Sequence, residues 1–153
     1  MTKTPERIIL DVDSAGDDIL AILFGLGCPD VHLEGVTAVT GAAGGIEQVT
    51  NVVLNTASLA GRDDLPVAAG AWRPIVGNSK ADMEAPVHFE KTLYARFGER
   101  LKGFNPPAPK PVRKAMDRHA VDFIIDTVRA NPGEISIVAT GPQTNVAMAL
   151  DMA

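Results

Sequence analysis

Residues 8–18 read IILDVDSAGDD, and this stretch joins a short β-branched run to a dense cluster of acidic residues. The run at residues 8–12 (IILDV) is typical of a strand that is buried on both faces of a parallel sheet. Residues 17–27 (DDILAILFGLG) follow with helical spacing, two acids in the first turn and glycines near the end. We therefore expect a buried strand, a tight turn and a buried helix.

The rest of the chain repeats this alternation of short β-branched runs and helical segments. The further elements that it predicts are strands at residues 33–40, 66–69 and 135–140, helices at residues 46–60 and 120–130, and a last helix after Gly141 and Pro142 that has the proline in its first turn. The strand at residues 135–140 is expected to be buried. Such alternation implies right-handed crossovers. The predicted fold is α/β, a Rossmann-like, mostly parallel sheet flanked by helices.

Residues 70–113 break this pattern with repeated prolines and mixed charge. A stretch of that length inside a compact domain is usually a functional or mobile loop. We expect such a loop here, with a short helix around residues 90–101.

Length, charge and cysteine content limit the class of protein. The chain has 153 residues, a net charge of −5 and a single cysteine, Cys28. This size fits one α/β domain over residues 1–153, the acidic balance argues against binding of duplex nucleic acid, and one cysteine excludes an internal disulfide. No apolar run is long enough for a signal-peptide core or a membrane span. We expect a soluble cytoplasmic protein that binds neither nucleic acid nor a membrane.

Four carboxylates crowd the carboxyl end of the first predicted strand: Asp11, Asp13, Asp17 and Asp18. In parallel sheets, ligands bind beyond this end of the strands. Mutual repulsion would raise several of the pKa values unless a cation offset it, and Ca²⁺ or Mg²⁺ takes oxygen ligands of this kind. An alternative is that Asp17 and Asp18 serve only the helix dipole, which leaves Asp11 and Asp13 unexplained.

Thr140 ends the fourth predicted strand, directly before Gly141 and Pro142. If the first and fourth strands are neighbours, its carbonyl or hydroxyl could complete an oxygen-rich site beside the aspartates. An ordinary cap between strand and helix is the alternative role.

Several motifs now occur together and in a specific order: DVDSAGDD, VTAVTG, IEQ, AGRDDLPVAAGAWRPIV, RHAVDFIID and IVATGPQTNVAMAL. In this order the sequence resembles the N-terminal half of an inosine-uridine preferring nucleoside hydrolase, and the resemblance spans nearly the whole chain. It implies a Ca²⁺-dependent N-ribohydrolase that splits a nucleoside into free base and ribose.

The resemblance also implies roles for single residues. Asp13 would be a Ca²⁺ ligand and the general base that takes a proton from water. Asp18 would be a second Ca²⁺ ligand, and Thr140 would contribute its main-chain carbonyl. Asp17 would hydrogen-bond a ribose hydroxyl, and Asp11 would be a nearby supporting carboxylate. The expected partner is a small-molecule nucleoside or ribose.

The chain also departs from the family pattern. Ser14 and Ala15 stand where members usually have proline and glycine, and Ala42 stands where they have asparagine. Family chains are about twice this length, so the domain is expected to be incomplete relative to the family and to lack the last acidic metal ligand. A homo-oligomer or a complementing second chain would then complete the site.

Two other functions start from the same residues. A phosphatase of the haloacid-dehalogenase type would use Asp11 as nucleophile and Asp13 as acid/base, although the later lysine and acidic pair of that class are not found. A riboside-binding chain without turnover is the third hypothesis.

The remaining candidate residues are interpreted as structural. Asn145 is expected on a helix face outside the site, Cys28 as a small buried hydrophobe, and Trp72 as packed against the scaffold. Among the histidines, His88 is the best catalytic candidate because it lies in the irregular region. A solvated helix face is expected to hold Arg113, Lys114 and Arg118.

Overall fold

A computed structural model of the chain describes residues 4–41, 44–76 and 109–153. The elements in these ranges are β1 (Glu6–Val12), α1 (Gly16–Gly27), β2 (Val31–Ala38), α2 (Ile46–Leu59), β3 (Val67–Ala69), α3 (Ala120–Ala130), β4 (Ile135–Ala139) and α4 (Thr144–Met152). Every strand and helix that was predicted within the described ranges is present, with bounds shifted by a few residues. The predicted helix around residues 90–101 lies outside the described residues.

The four strands form one parallel sheet in the order β3-β2-β1-β4. Alternate residues of the central strand β1 point to opposite faces, as the pleat requires. Leu10 packs in one core cluster with Ile22 of α1 and Val53 of α2. Ile9 packs in a second cluster with Val121 of α3 and Ala149 of α4. Each face of the sheet thus carries two of the described helices, and the predicted α/β fold is confirmed.

Helix α1 is not buried all round, contrary to the prediction. Ile22 is fully buried against the sheet, but Leu20 and Phe24 are each 68% exposed. Apolar residues at most positions of this segment predict a helix that is buried on all sides. In the described part of the chain, only one stripe of α1 is covered, by the sheet and α2.

Strand β4 also differs from the prediction, because it is an edge strand of this sheet and pairs with β1. Val138 is 40% exposed and Ser136 is exposed as well. A run of apolar residues is compatible with a central or an edge strand, so the sequence alone could not distinguish them.

The basic run near residue 113 belongs to no helix. Arg113 donates from Nη1 to the carbonyls of Asp63 and Leu65, both at 2.9 Å, and Met116 donates its N–H to the carbonyl of Val67 at 2.8 Å. This segment therefore lies beside the start of β3, and the predicted helix is wrong. Lys114 and Arg118 are exposed as expected, whereas Arg113 is half-buried. None of the helices in the described ranges is long and apolar enough to span a membrane.

Candidate functional site

The ends of β1 and β4 lie side by side, which confirms that these strands are neighbours. The N–H of Thr140 donates to the carbonyl of Asp11 at 2.9 Å. On the other side of β1, the N–H of Val39 donates to the carbonyl of Val12 at 2.9 Å. The segments that follow three parallel strands therefore meet around Asp13.

Asp13 is held between two glycines and is only 8% exposed. A Cβ atom at Gly41 would lie 2.5 Å from the Cβ of Asp13 and still closer to Oδ2. A Cβ atom at Gly141 would lie 2.8 Å from the backbone nitrogen of Asp13. Real side chains do not approach this closely, so glycine is required at both positions for this placement of the carboxylate.

Asp18 lies at the third position of α1 and is 2% exposed. Its Oδ2 accepts the N–H of Ala15 at 2.9 Å, and its Oδ1 accepts the hydroxyl of Thr140 at 2.5 Å. The Asp13 carboxyl group lies close enough to that of Asp18 to affect its pKa. Asp18 therefore caps α1 and also joins the first turn of α1 to the end of β4. Its contacts go beyond a role toward the helix dipole alone.

Burial raises the pKa of Asp18 above its ordinary value, and the neighbouring Asp13 raises it further. The hydrogen bonds from Thr140 and from the backbone of Ala15 act in the opposite direction. Two neighbouring carboxylates repel each other unless a shared proton or a cation lies between them. A cation at the same place would compensate the charge of both groups without that proton.

Asp11 lies behind this pair and is completely buried. Its Oδ1 accepts the hydroxyl of Thr37 at 2.5 Å and the side-chain amide of Asn145 at 2.8 Å. Its Oδ2 has no hydrogen-bond partner among the described residues. Burial raises the pKa of Asp11, and the hydrogen bonds from Thr37 and Asn145 partly offset this shift. A nucleophile must reach its substrate, so this burial argues against the phosphatase hypothesis.

The turn from Asp13 to α1 brings Asp17 to the surface. Ser14 has a φ of 59°, a left-handed conformation that costs a non-glycine residue energy and that proline cannot adopt. Its hydroxyl donates to the carbonyl of Val49 at 3.1 Å. Asp17 follows in the first turn of α1 and is exposed, unlike its buried neighbour Asp18.

Asn145 is the polar residue that the sequence interpretation missed. It is completely buried, and its amide contacts Asp11, Ala38 and Ala71. The prediction of a helix-face residue outside the site is therefore wrong, because the first turn of α4 packs onto the strand ends. Its only signal in the sequence was its position five residues after Thr140, in the first turn of the following helix.

The other residues considered in the sequence lie elsewhere in the fold or outside the described ranges. His119 caps α3, where its Nδ1 accepts the N–H of Val121 at 3.2 Å. Trp72 is 56% exposed with the Arg73 guanidinium 4.9 Å from its ring centre, so it is less packed than expected. Cys28 is half-buried rather than fully buried. His88 and Ala42 lie outside the described residues.

The possible ligand atoms near Asp13 are of the kind that a hard divalent cation binds. Two carboxylates and the adjacent Thr140 supply oxygen atoms only, the kind of ligand that Ca²⁺ prefers. In the described ranges, no group of three His, Cys, Asp or Glu side chains is arranged to hold a metal ion. Since Ca²⁺ takes about six to eight oxygens, these residues would form part of a ligand set.

Known proteins of one family are similar to this chain. The family model described as inosine-uridine preferring nucleoside hydrolase matches residues 8–153. An uncharacterized protein of Schizosaccharomyces pombe is 39% identical over 96% of this chain and 44% of its own length. A probable uridine nucleosidase 2 of Arabidopsis thaliana is 32% identical over 96% of this chain and 42% of its own length.

Solved structures show the same likeness. A structure described as a plant nucleoside hydrolase superposes with a TM-score of 0.77 at 32% identity, covering 97% of this chain and 43% of the other. A purine-preferring ribonucleoside hydrolase from Gardnerella vaginalis superposes with a TM-score of 0.76, also at 32% identity, over 96% of this chain and 44% of the other. The chain thus spans less than half the length of the proteins that it matches.

Proposed function

The chain belongs to the inosine-uridine preferring nucleoside hydrolase family, and from this premise we propose that it acts as a Ca²⁺-dependent N-ribohydrolase in the cytoplasm. Its substrates would be nucleosides, which it would split into free base and ribose. The observation that carries the proposal is the Asp13 and Asp18 pair, which lies at the carboxyl end of the sheet with the Thr140 hydroxyl on Asp18.

Asp13, Asp18 and the main-chain carbonyl of Thr140 would hold the cation. When bound, Ca²⁺ would lower the pKa of a water molecule and so make it a better nucleophile. The remaining oxygen ligands would come from water, from the hydroxyls of the nucleoside, or from a second chain. That chain would be another copy or a complementing polypeptide.

Asp13 would act as the general base. Its carboxylate would accept a proton from water while the water oxygen bonds to the anomeric carbon and the glycosidic C–N bond breaks. The bonding electron pair would leave with the base, which must also take up a proton. Positive charge develops on the ribose ring in such a reaction, and the cluster of carboxylates would stabilise it.

Asp17 and Asp11 would support this chemistry from opposite sides. Asp17 is exposed next to the carboxylate pair, which suits an acceptor for a ribose hydroxyl. Asp11 is buried behind the pair, where its carboxylate accepts hydrogen bonds from Thr37 of β2 and Asn145 of α4. Its role would be structural support of the site.

The test is release of ribose from inosine or uridine, measured as reducing sugar, with the chain as it is written here. We expect Ca²⁺-dependent release that stops on chelation and returns with added Ca²⁺. Asp13→Asn should abolish release, whereas Asp151→Asn, an exposed acid at the far end of α4, should not. Nucleoside binding by calorimetry without any ribose release would instead support the riboside-binding hypothesis. Absence of both binding and release would refute the proposal.

A further inference from the structure

The side chain of Asn145 joins three strand ends to the first turn of α4. We propose that Asn145 is a positioning residue, which locks the segment from Thr140 to Asn145 onto Asp11 and thereby holds Thr140 against Asp18. This inference rests on the proposed function, since that function assigns Thr140 and Asp18 as cation ligands. Its structural basis is independent of any bound cation.

Every polar atom of the Asn145 amide has a partner of the matching kind. Nδ2 donates to Asp11 Oδ1 at 2.8 Å and to the carbonyl of Ala38 at 3.0 Å. Oδ1 accepts the N–H of Ala71 at 2.8 Å. A carboxylate of the same shape would place acceptors against two acceptors, and a hydroxyl is too short to reach all three groups. The contacts therefore select asparagine by chemistry as well as by size.

Gly70 shows how closely the surroundings fit this side chain. A Cβ atom at Gly70 would overlap both amide atoms of Asn145 and would lie 2.6 Å from the carbonyl of Ala38. The amide thus fills the space that any larger residue at position 70 would need. Asn145 is held by packing as well as by hydrogen bonds.

The link from Asn145 to the carboxylate pair runs through Asp11 and Thr140. The backbone carbonyl of Asp11 accepts the N–H of Thr140 at 2.9 Å, and this hydrogen bond holds the start of the segment. The side chain of Asp11 accepts a hydrogen bond from the Asn145 amide, which holds the end of the same segment. With both ends fixed on one residue, the Thr140 hydroxyl is kept 2.5 Å from Asp18 Oδ1. Loss of the Asn145 amide would release one end of this segment.

The test compares Asn145→Asp and Asn145→Ser with Val53→Ala, a core variant on the helix layer of the opposite face. The first readout is hydrogen exchange at the Thr140 amide without Ca²⁺, relative to the Leu10 amide in the central strand. The second is Ca²⁺ affinity by calorimetry, and the third is ribose release at low and at high Ca²⁺. Unfolding in urea measures the free energy of unfolding of each variant. Exchange rates and Ca²⁺ affinities are then compared under conditions in which the variants have equal stability.

We expect both Asn145 variants to speed Thr140 exchange relative to Leu10 and to weaken Ca²⁺ binding by roughly 10-fold or more, as for other partners of metal ligands. Excess Ca²⁺ should restore ribose release. Val53→Ala should change none of these. If Asn145→Asp does not fold, Asn145→Ser tests whether Asn145 positions Thr140.

The inference is overturned if the Asn145 variants match Val53→Ala in relative Thr140 exchange. It is also overturned if the native chain binds Ca²⁺ and the variants bind it equally well. A native chain that neither binds Ca²⁺ nor releases ribose would refute the proposed function, while Thr140 exchange would still decide the role of Asn145.

Discussion

The hydroxyl of Thr140 lies 2.5 Å from Oδ1 of Asp18, although 122 positions of the chain separate the two residues. This contact joins the end of β4 to the first turn of α1, the helix that follows β1. It brings the last strand of the described sheet to the acidic cluster near the start of the chain.

Thr140→Val tests what this contact contributes. The variant keeps the shape and the main-chain carbonyl but removes the hydroxyl, so Asp18 Oδ1 loses a donor. We expect weaker Ca²⁺ binding and slower ribose release, with stability lower by about 0.5–1.5 kcal/mol, the net contribution of one hydrogen bond. Calorimetry and urea unfolding measure the two effects. Thr127→Val on α3 is the control, and equal Ca²⁺ affinity in both variants would contradict the prediction.

Gly41→Ala should disrupt the site because the new Cβ would overlap the Asp13 carboxylate. Overpacking of this kind costs about 1–3 kcal/mol, and the carboxylate must move to relieve it. We expect loss of Ca²⁺ binding and of ribose release. Gly45→Ala is a close control, since no atom of the described residues lies within 4 Å of a Cβ there and the residue has a φ of −71°. Similar activity in the two variants would show that the glycine is not needed.

Ser14→Pro should be strongly destabilising because of the backbone conformation at this position. Proline restricts φ to about −65°, whereas Ser14 has a φ of 59°. We expect a loss of more than about 1 kcal/mol in the free energy of unfolding, because proline is incompatible with this φ. Ser14→Ala keeps the conformation accessible and loses only the hydrogen bond to Val49, so its cost should be about 1 kcal/mol. Equal midpoints in urea for these two variants would refute the assignment of a left-handed turn.

Glu34 and Arg7 should make stability depend on acid pH. Arg7 donates from Nε to Glu34 Oε1 at 2.6 Å, and this hydrogen bond lowers the pKa of Glu34 below its ordinary value. A lowered folded-state pKa adds stability above the pKa of the unfolded chain and loses it as the pH falls through the folded value. The difference in unfolding free energy between the native chain and Glu34→Gln should therefore shrink below about pH 4.3. A difference that stays constant from neutral to acid pH would contradict this.

Much of the fold could be predicted because the signals are local. The run IILDV predicts β1 from five adjacent residues, and the acids and glycines at residues 16–27 mark both ends of α1. The exposure of α1 and β4 could not be predicted in this way. Leu20, Phe24 and Val138 have the same apolar character whether or not another element covers them.

For the candidate site, too, local features could be predicted from the sequence and long-range contacts could not. Patterns between near neighbours in the sequence are enough to predict the family, the order of the elements and the acidic cluster at the end of β1, which consists of Asp11, Asp13, Asp17 and Asp18. Tertiary packing was needed to show that Asn145 is buried on Asp11, 134 positions away, and that Gly41 and Gly70 leave room for side chains from other elements. Those contacts arise when whole elements pack together, and no short stretch of sequence records which side chains will then meet.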